Sequence, residues 1–127
     1  MSKLTRENAI LPIEAAVDLT DKEGSLVVWD GTDLILASDP LEDVFGVVLV
    51  GDAAGEPSSI AIAAGGLAGT VKIRLEGAIT AVGTLLMGSA TGGAVEATSP
   101  NKTFAMALET GVADEHIEAI LFKPVVI

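Results

Sequence analysis

His116 is the one histidine in the chain, and it stands among carboxylates: Asp114 and Glu115 precede it and Glu118 follows. A histidine oriented by a carboxylate is a common general base, but that work also needs a nucleophile or substrate group within reach. No serine or lysine in a strained elbow accompanies His116, so it reads as a solvated loop histidine. Asp30-Gly31-Thr32-Asp33 places oxygen ligands at part of a calcium-loop spacing. The further ligands and closing glutamate of an EF-hand are missing at the required offsets, and Asp-Gly reads as a turn. Gly65-Gly66-Leu67-Ala68-Gly69-Thr70 is glycine-rich. A phosphate loop needs a lysine after the last glycine and a helix behind it, whereas here Val71 opens a strand pattern. The segment therefore reads as a flexible connector or a tight chain crossing. The acidic groups Asp39, Glu42 and Asp43, and Asp114, Glu115 and Glu118, read as solvated surface. There is no cysteine, which excludes disulfides, thiolate metal sites and cysteine nucleophiles. No catalytic set, cofactor or metal site is expected, and the chain is not expected to be an enzyme.

The elements that position these residues are built from a restricted alphabet. One Trp, three Phe and no Tyr leave the core to Val, Ile, Leu and Ala, so no deep ligand pocket is expected. A length of 127 residues predicts one domain. The net charge of −11, from 18 acidic against 7 basic side chains, would repel phosphate backbones and argues against a nucleic-acid partner. Met1 to Glu7 is polar with no apolar stretch of the signal-peptide kind behind it. Ser59 to Val71, the most apolar run, is broken by glycines and too short to span a bilayer. A soluble chain with no membrane partner is expected.

Strand signals are short and evenly spaced. Leu26-Val27-Val28-Trp29 meets the Asp30-Gly31 turn, and Leu34-Ile35-Leu36-Ala37 follows. Val44 to Val50 is a continuous apolar run that predicts a strand buried on both faces. Val71-Lys72-Ile73-Arg74-Leu75-Glu76 alternates, with Val71, Ile73 and Leu75 on one face. Leu11 to Val17 reads as an edge strand, where Pro12 is tolerated. Asp39-Pro40 followed by Leu41 to Val44 reads as a single helical turn. Gly92-Gly93 reads as a hairpin tip.

Residues 24–62 lie over residues 83–121 without a gap. Gly24 falls on Gly83, Leu26 on Leu85, Phe45 on Phe104, Leu49 on Leu108 and Glu56 on Glu115, always 59 positions apart. A fixed period usually means one supersecondary unit used twice. The expected fold is all-β, a small barrel or sandwich built from two pseudo-symmetric repeat units, with Phe45, Phe104, Leu49 and Leu108 as its core anchors. A pseudo-two-fold is expected to relate the units, placing both phenylalanine rings in the core. Residues 1–19 would form an N-terminal arm and first edge strand, and residues 20–127 a single β domain. Residues 1–10 read as a mobile arm, with Lys3 and Arg6 as its electrostatic contacts. Edge strands and a shallow core predict a homo-oligomer, a trimer.

Phe45-Gly46-Val47-Val48-Leu49, Ala53-Ala54-Gly55-Glu56-Pro57 and Ile60-Ala61-Ile62 resemble the first half of tailed-bacteriophage capsid decoration (cement) proteins. Val71 to Gly77, Ala81 to Leu86, Gly92 to Ala97 and Ala105 to Glu109 resemble the second half. The likeness covers about residues 20–122. Ala113-Asp114-Glu115 departs from it by lacking the usual glycine before glutamate, and residues 1–19 have no counterpart. The resemblance implies a non-catalytic virion protein, made in the host cytoplasm. Such a protein binds the outside of a phage head near local three-fold axes and ties major capsid subunits together. The alternative is an oligomeric tail or baseplate accessory, or a generic β binding module.

Overall fold

The computed structural model describes residues 9–39, 43–65 and 69–127. Among them ten strands form two five-stranded antiparallel sheets. The first holds β1 (Ile10–Glu14), β2 (Leu26–Trp29), β3 (Leu34–Leu36), β4 (Gly46–Val50) and β5 (Pro57–Ile62), in the order β1-β5-β4-β2-β3. The second holds β6 (Val71–Arg74), β7 (Leu85–Gly88), β8 (Ala94–Glu96), β9 (Lys102–Ala107) and β10 (His116–Val126), in the order β6-β10-β9-β7-β8. Strand for strand, the two orders are the same.

The registers repeat as well. Leu26 pairs with Val47 and Val47 with Ala61; 59 residues later Leu85 pairs with Met106 and Met106 with Ile120. The turns follow suit: Gly24 N–H donates to Val48 O at 2.8 Å, and Gly83 N–H to Ala107 O at 2.8 Å. The correspondence also reaches β1 and β6, where Ile13 opposite Ser58 answers Ile73 opposite Ile117, now 60 positions apart. In each unit the chain leaving the first strand bonds back to the third. Ala16 N–H donates to Leu34 O at 3.0 Å, and Glu76 N–H to Ala94 O at 2.8 Å. Each sheet thereby curls toward a small barrel, which satisfies part of both edges.

Several local expectations meet this structure directly. β1 pairs only with β5, so Pro12 sits on an edge strand. Of the run Val44 to Val50, Val44 and Gly46 to Val48 are buried, as cover on both faces requires, but Phe45 and Leu49 are half-buried and Val50 is 63% exposed, so the double cover stops short of the strand's end. Val71, Ile73 and Leu75 are buried while Lys72 is exposed. A 3-10 turn at Ala63–Gly65, which the sequence did not suggest, caps β5 and packs against β10. β10 continues through Pro124 to Val126, with an irregularity between Leu121 and Val125 where a proline costs no ladder bond. The helical turn expected after Asp39 falls largely on residues 40–42, and the centre of the glycine-rich connector on residues 66–68; both lie outside the described residues. So do Met1 to Asn8 with Lys3 and Arg6, whereas Ala9 and Ile10 belong to the first sheet: Ile62 N–H donates to Ala9 O at 2.8 Å.

The operator relating the units needs correction. On one face of the sheet Val27, Val48 and Ile60 are buried in the first unit, as are their counterparts Leu86, Ala107 and Ala119 in the second. A row on the opposite face differs. Leu26, Val47 and Ala61 are all 0% exposed, whereas Leu85 is 36% exposed, Ile120 37%, and Met106 is half-buried. A two-fold would place equivalent residues in equivalent surroundings. Instead this row of one unit is sealed by the other unit, and the corresponding row of that unit is left open. The packing is head-to-tail. Leu26, Val28, Val47 and Ala61 join Ile73, Leu75, Leu86 and Phe104 in one continuous core.

The anchors divide accordingly. Phe104 is 1% exposed within the shared core. Phe45, expected there too, is half-buried and meets Trp29 edge-on, ring centroids 5.5 Å apart at 72°. Leu49 packs against the shared core from its margin, and Leu108 is half-buried just beyond β9.

Candidate functional site

Two surfaces stand out, one where the units meet and one on the second unit away from that junction. The first is an open groove of about 730 Å³ walled by Trp29, Val44, Phe45, Ile62 and Pro124. Trp29 is 46% exposed, at the point where β2 runs into its turn. That turn is fixed by Asp30, whose Oδ1 accepts the backbone N–H groups of Asp33 at 2.8 Å and Thr32 at 3.1 Å. Those bonds hold the Asp30 carboxyl below the usual aspartate range, the Asp33 amide being the larger cause. The Asp30–Asp33 segment is thus an Asx-type turn that presents Trp29. Across the groove Lys102 Nζ lies 2.7 Å from Asp43 Oδ1, an ion pair between the units, and Lys123 lines the same wall. An aromatic floor with a charged rim suits a macromolecular contact. Sequence reasoning missed this groove because Trp29 read only as the end of a strand.

The second surface is the open row Leu85, Met106 and Ile120, three apolar side chains on adjacent strands.

The residues considered for chemistry are dispersed. His116 is exposed, but it opens β10 and is not a loop residue. Its Nε2 lies 2.9 Å from the carbonyl oxygen of Glu23, which assigns the proton to that nitrogen. It thus holds a turn of the other unit. Beside it, Arg74 N–H donates to Gly24 O at 2.9 Å and Leu26 N–H to Gly92 O at 2.7 Å, completing a polar seam. Gly92-Gly93 is therefore more than a hairpin tip: Gly92 is buried against Leu36 of the first unit, and Gly93 against Glu76 of its own. Of the acidic groups, Asp114 and Glu76 flank Arg74 at 3.6 and 2.6 Å.

Lys72, Glu109 and Glu118 form a small network on the outside of the second sheet. Glu109 Oε1 accepts the Glu118 backbone N–H at 2.8 Å and pairs with Lys72 Nζ at 3.0 Å. The amide first and the lysine second hold the Glu109 carboxyl below the usual glutamate range; the same bond raises Lys72. A depressed folded-state pKa gives stability above the unfolded value that is lost as pH falls through the folded one. A raised lysine gives stability below its unfolded value, lost as pH rises through the folded one. The melting temperature should therefore fall on acidification through and below the ordinary carboxylate range. Glu109→Gln should flatten part of that limb in a pH series and leave the neutral-to-mildly-alkaline plateau shape unchanged.

No family model matches the sequence, and no curated protein matches it. Among solved structures, the chain is similar to the head fiber gp8.5 N base of bacteriophage phi29. The TM-score is 0.63 and the sequence identity 14%, over 91% of this chain and 96% of that one. At this identity the likeness is one of fold.

Proposed function

We propose that the chain is a structural virion protein that binds the outer surface of a phage head and stabilises the capsid lattice. The observation that carries this reading is the shared fold with a head-fiber base over nearly the whole of both chains. The chemistry agrees with it. A head-binding protein needs a stiff β body, a solvated outer face and an anchoring surface, and the described residues offer an acidic body with an aromatic groove and an apolar row. Its partner would be the major capsid protein, with copies arranged as a homo-oligomer, a trimer, on the shell. Lys3 and Arg6, two of only seven cations, would supply contacts from the N-terminal arm. Many weak contacts repeated by the symmetry of the shell would then sum to tight attachment.

The test is co-sedimentation with expanded, empty heads of the phage that encodes the chain, prepared without it. Saturable uptake at a ratio commensurate with the capsid subunit count is expected; no uptake sinks the reading. Deleting residues 2–8 should leave the melting temperature nearly unchanged and weaken head binding. Undiminished binding by the truncated chain would remove Lys3 and Arg6 from the contact.

A further inference from the structure

We infer that the open row Leu85–Met106–Ile120 is the docking face for a second copy of this chain, which presents the Trp29 end of its first unit. The inference rests on the homo-oligomeric part of the reading above and names the surfaces that make the oligomer.

The internal junction is the guide. In the first unit, the row Leu26–Val47–Ala61 lies on the same three strands in the same register, and it is sealed. What seals it is one end of the second unit. Gly92 accepts the Leu26 N–H, and a side chain at Gly88 would meet Val44, Ala37 and Leu26. Arg74 and His116 hold the adjoining turn. That end has a counterpart on the first unit. Trp29 answers Gly88, Glu14 answers Arg74, Pro57 answers His116, and Gly31-Thr32 answers the Gly92 turn. All of these are exposed. Among the described residues the chain thus carries one unsealed row and one end that meets no such row, the two kinds of surface that already fit each other once inside the molecule.

A contact between different surfaces of identical chains is heterologous, and it closes into a ring or runs on as a filament. The repetition is not a copy of the internal junction. Gly88 packs directly against the Val44, Ala37 and Leu26 side chains, whereas Trp29 interposes a large ring, so copies sit farther apart than units do. In exchange Trp29 provides the kind of aromatic anchor that dominates interfaces, and the row facing it is contiguous and apolar.

The experiment is sedimentation velocity on the full chain in the absence of heads, over a wide concentration range. Wild-type protein should associate with increasing concentration. Trp29→Ala should abolish association from one side, and Ile120→Glu from the other. Leu85→Ser, a milder change at a strand start, serves if Ile120→Glu unfolds, and circular dichroism melts establish the fold of each variant. The decisive arm is mixing. Trp29→Ala retains an intact row and Ile120→Glu an intact Trp29 end, so the two together should form a 1:1 heterodimer and nothing larger. Wild-type chain that stays monomeric throughout, folded row variants that associate undiminished, or a mixture that gives no heterodimer would each overturn the inference. Row variants that lose head binding while associating normally would assign the row to the capsid, which also overturns it. Chains that associate through the row but ignore heads would overturn only the head-binding reading.

Discussion

Phe104→Ala is expected to lower the unfolding free energy by about 3–5 kcal/mol, the range for truncating a buried aromatic ring. Phe104 is the largest of the fully buried side chains and joins the core cluster that contains residues of both sheets. Removing it leaves a void that neither sheet can collapse into alone, because each is fixed by its own ladder. Phe45→Ala, at the repeat-equivalent position, should cost distinctly less. Its ring is only half-buried: it meets Trp29 edge-on and packs at the margin of the first sheet's own cluster of Val27, Leu34, Val48 and Ile60, outside the shared core. Denaturant unfolding of both variants measures the difference, provided the slope with denaturant is unchanged. Equal losses would mean that the two rings share one environment, as a two-fold would demand, and would contradict the head-to-tail packing.

That pair of residues also shows how far the sequence carries. The correspondence of Phe45 with Phe104 is visible in the spacing, as are most strand positions, because apolar runs and turn residues are local signals. The alternation of Val71, Ile73 and Leu75 and the proline of the edge strand belong to the same class. The offset of 59 hides the match of β1 with β6. The connection from Glu14 to Gly24 is one residue longer than that from Arg74 to Gly83, so a gapless overlay stops short of it. The operator relating the units leaves no local trace. Leu26, Val47 and Ala61 are no more apolar than Leu85, Met106 and Ile120, yet one row is sealed and the other open. Burial of a second sheet face is decided by what docks on it, and docking is a long-range fact. The groove was missed for a related reason: Trp29 and Lys102 are 73 positions apart, and only the junction of the units brings them to one wall.

The junction itself is tested most sharply at Gly24 and its counterpart Gly83. Both have positive φ, 85° and 90°, so alanine at either position carries the left-handed penalty of about 1–2 kcal/mol. Their surroundings differ. A Cβ on Gly83 would meet open space, whereas one on Gly24 would run into the His116 ring and the Arg74 backbone nitrogen. Relieving that collision means moving the second unit off the Gly24 turn. Such a shift stretches the Arg74–Gly24 bond and the His116 contact with Glu23, and loosens the cover over Leu26. With an overpacking cost of about 1–3 kcal/mol added, Gly24→Ala should lose about 2–5 kcal/mol in total, and Gly83→Ala only the backbone share. Thermal or denaturant unfolding of the two variants, side by side, reads the excess directly. Should Gly83→Ala cost as much as Gly24→Ala, the glycine would be serving the turn alone, and the close approach of the two units at Gly24 would contribute nothing to stability.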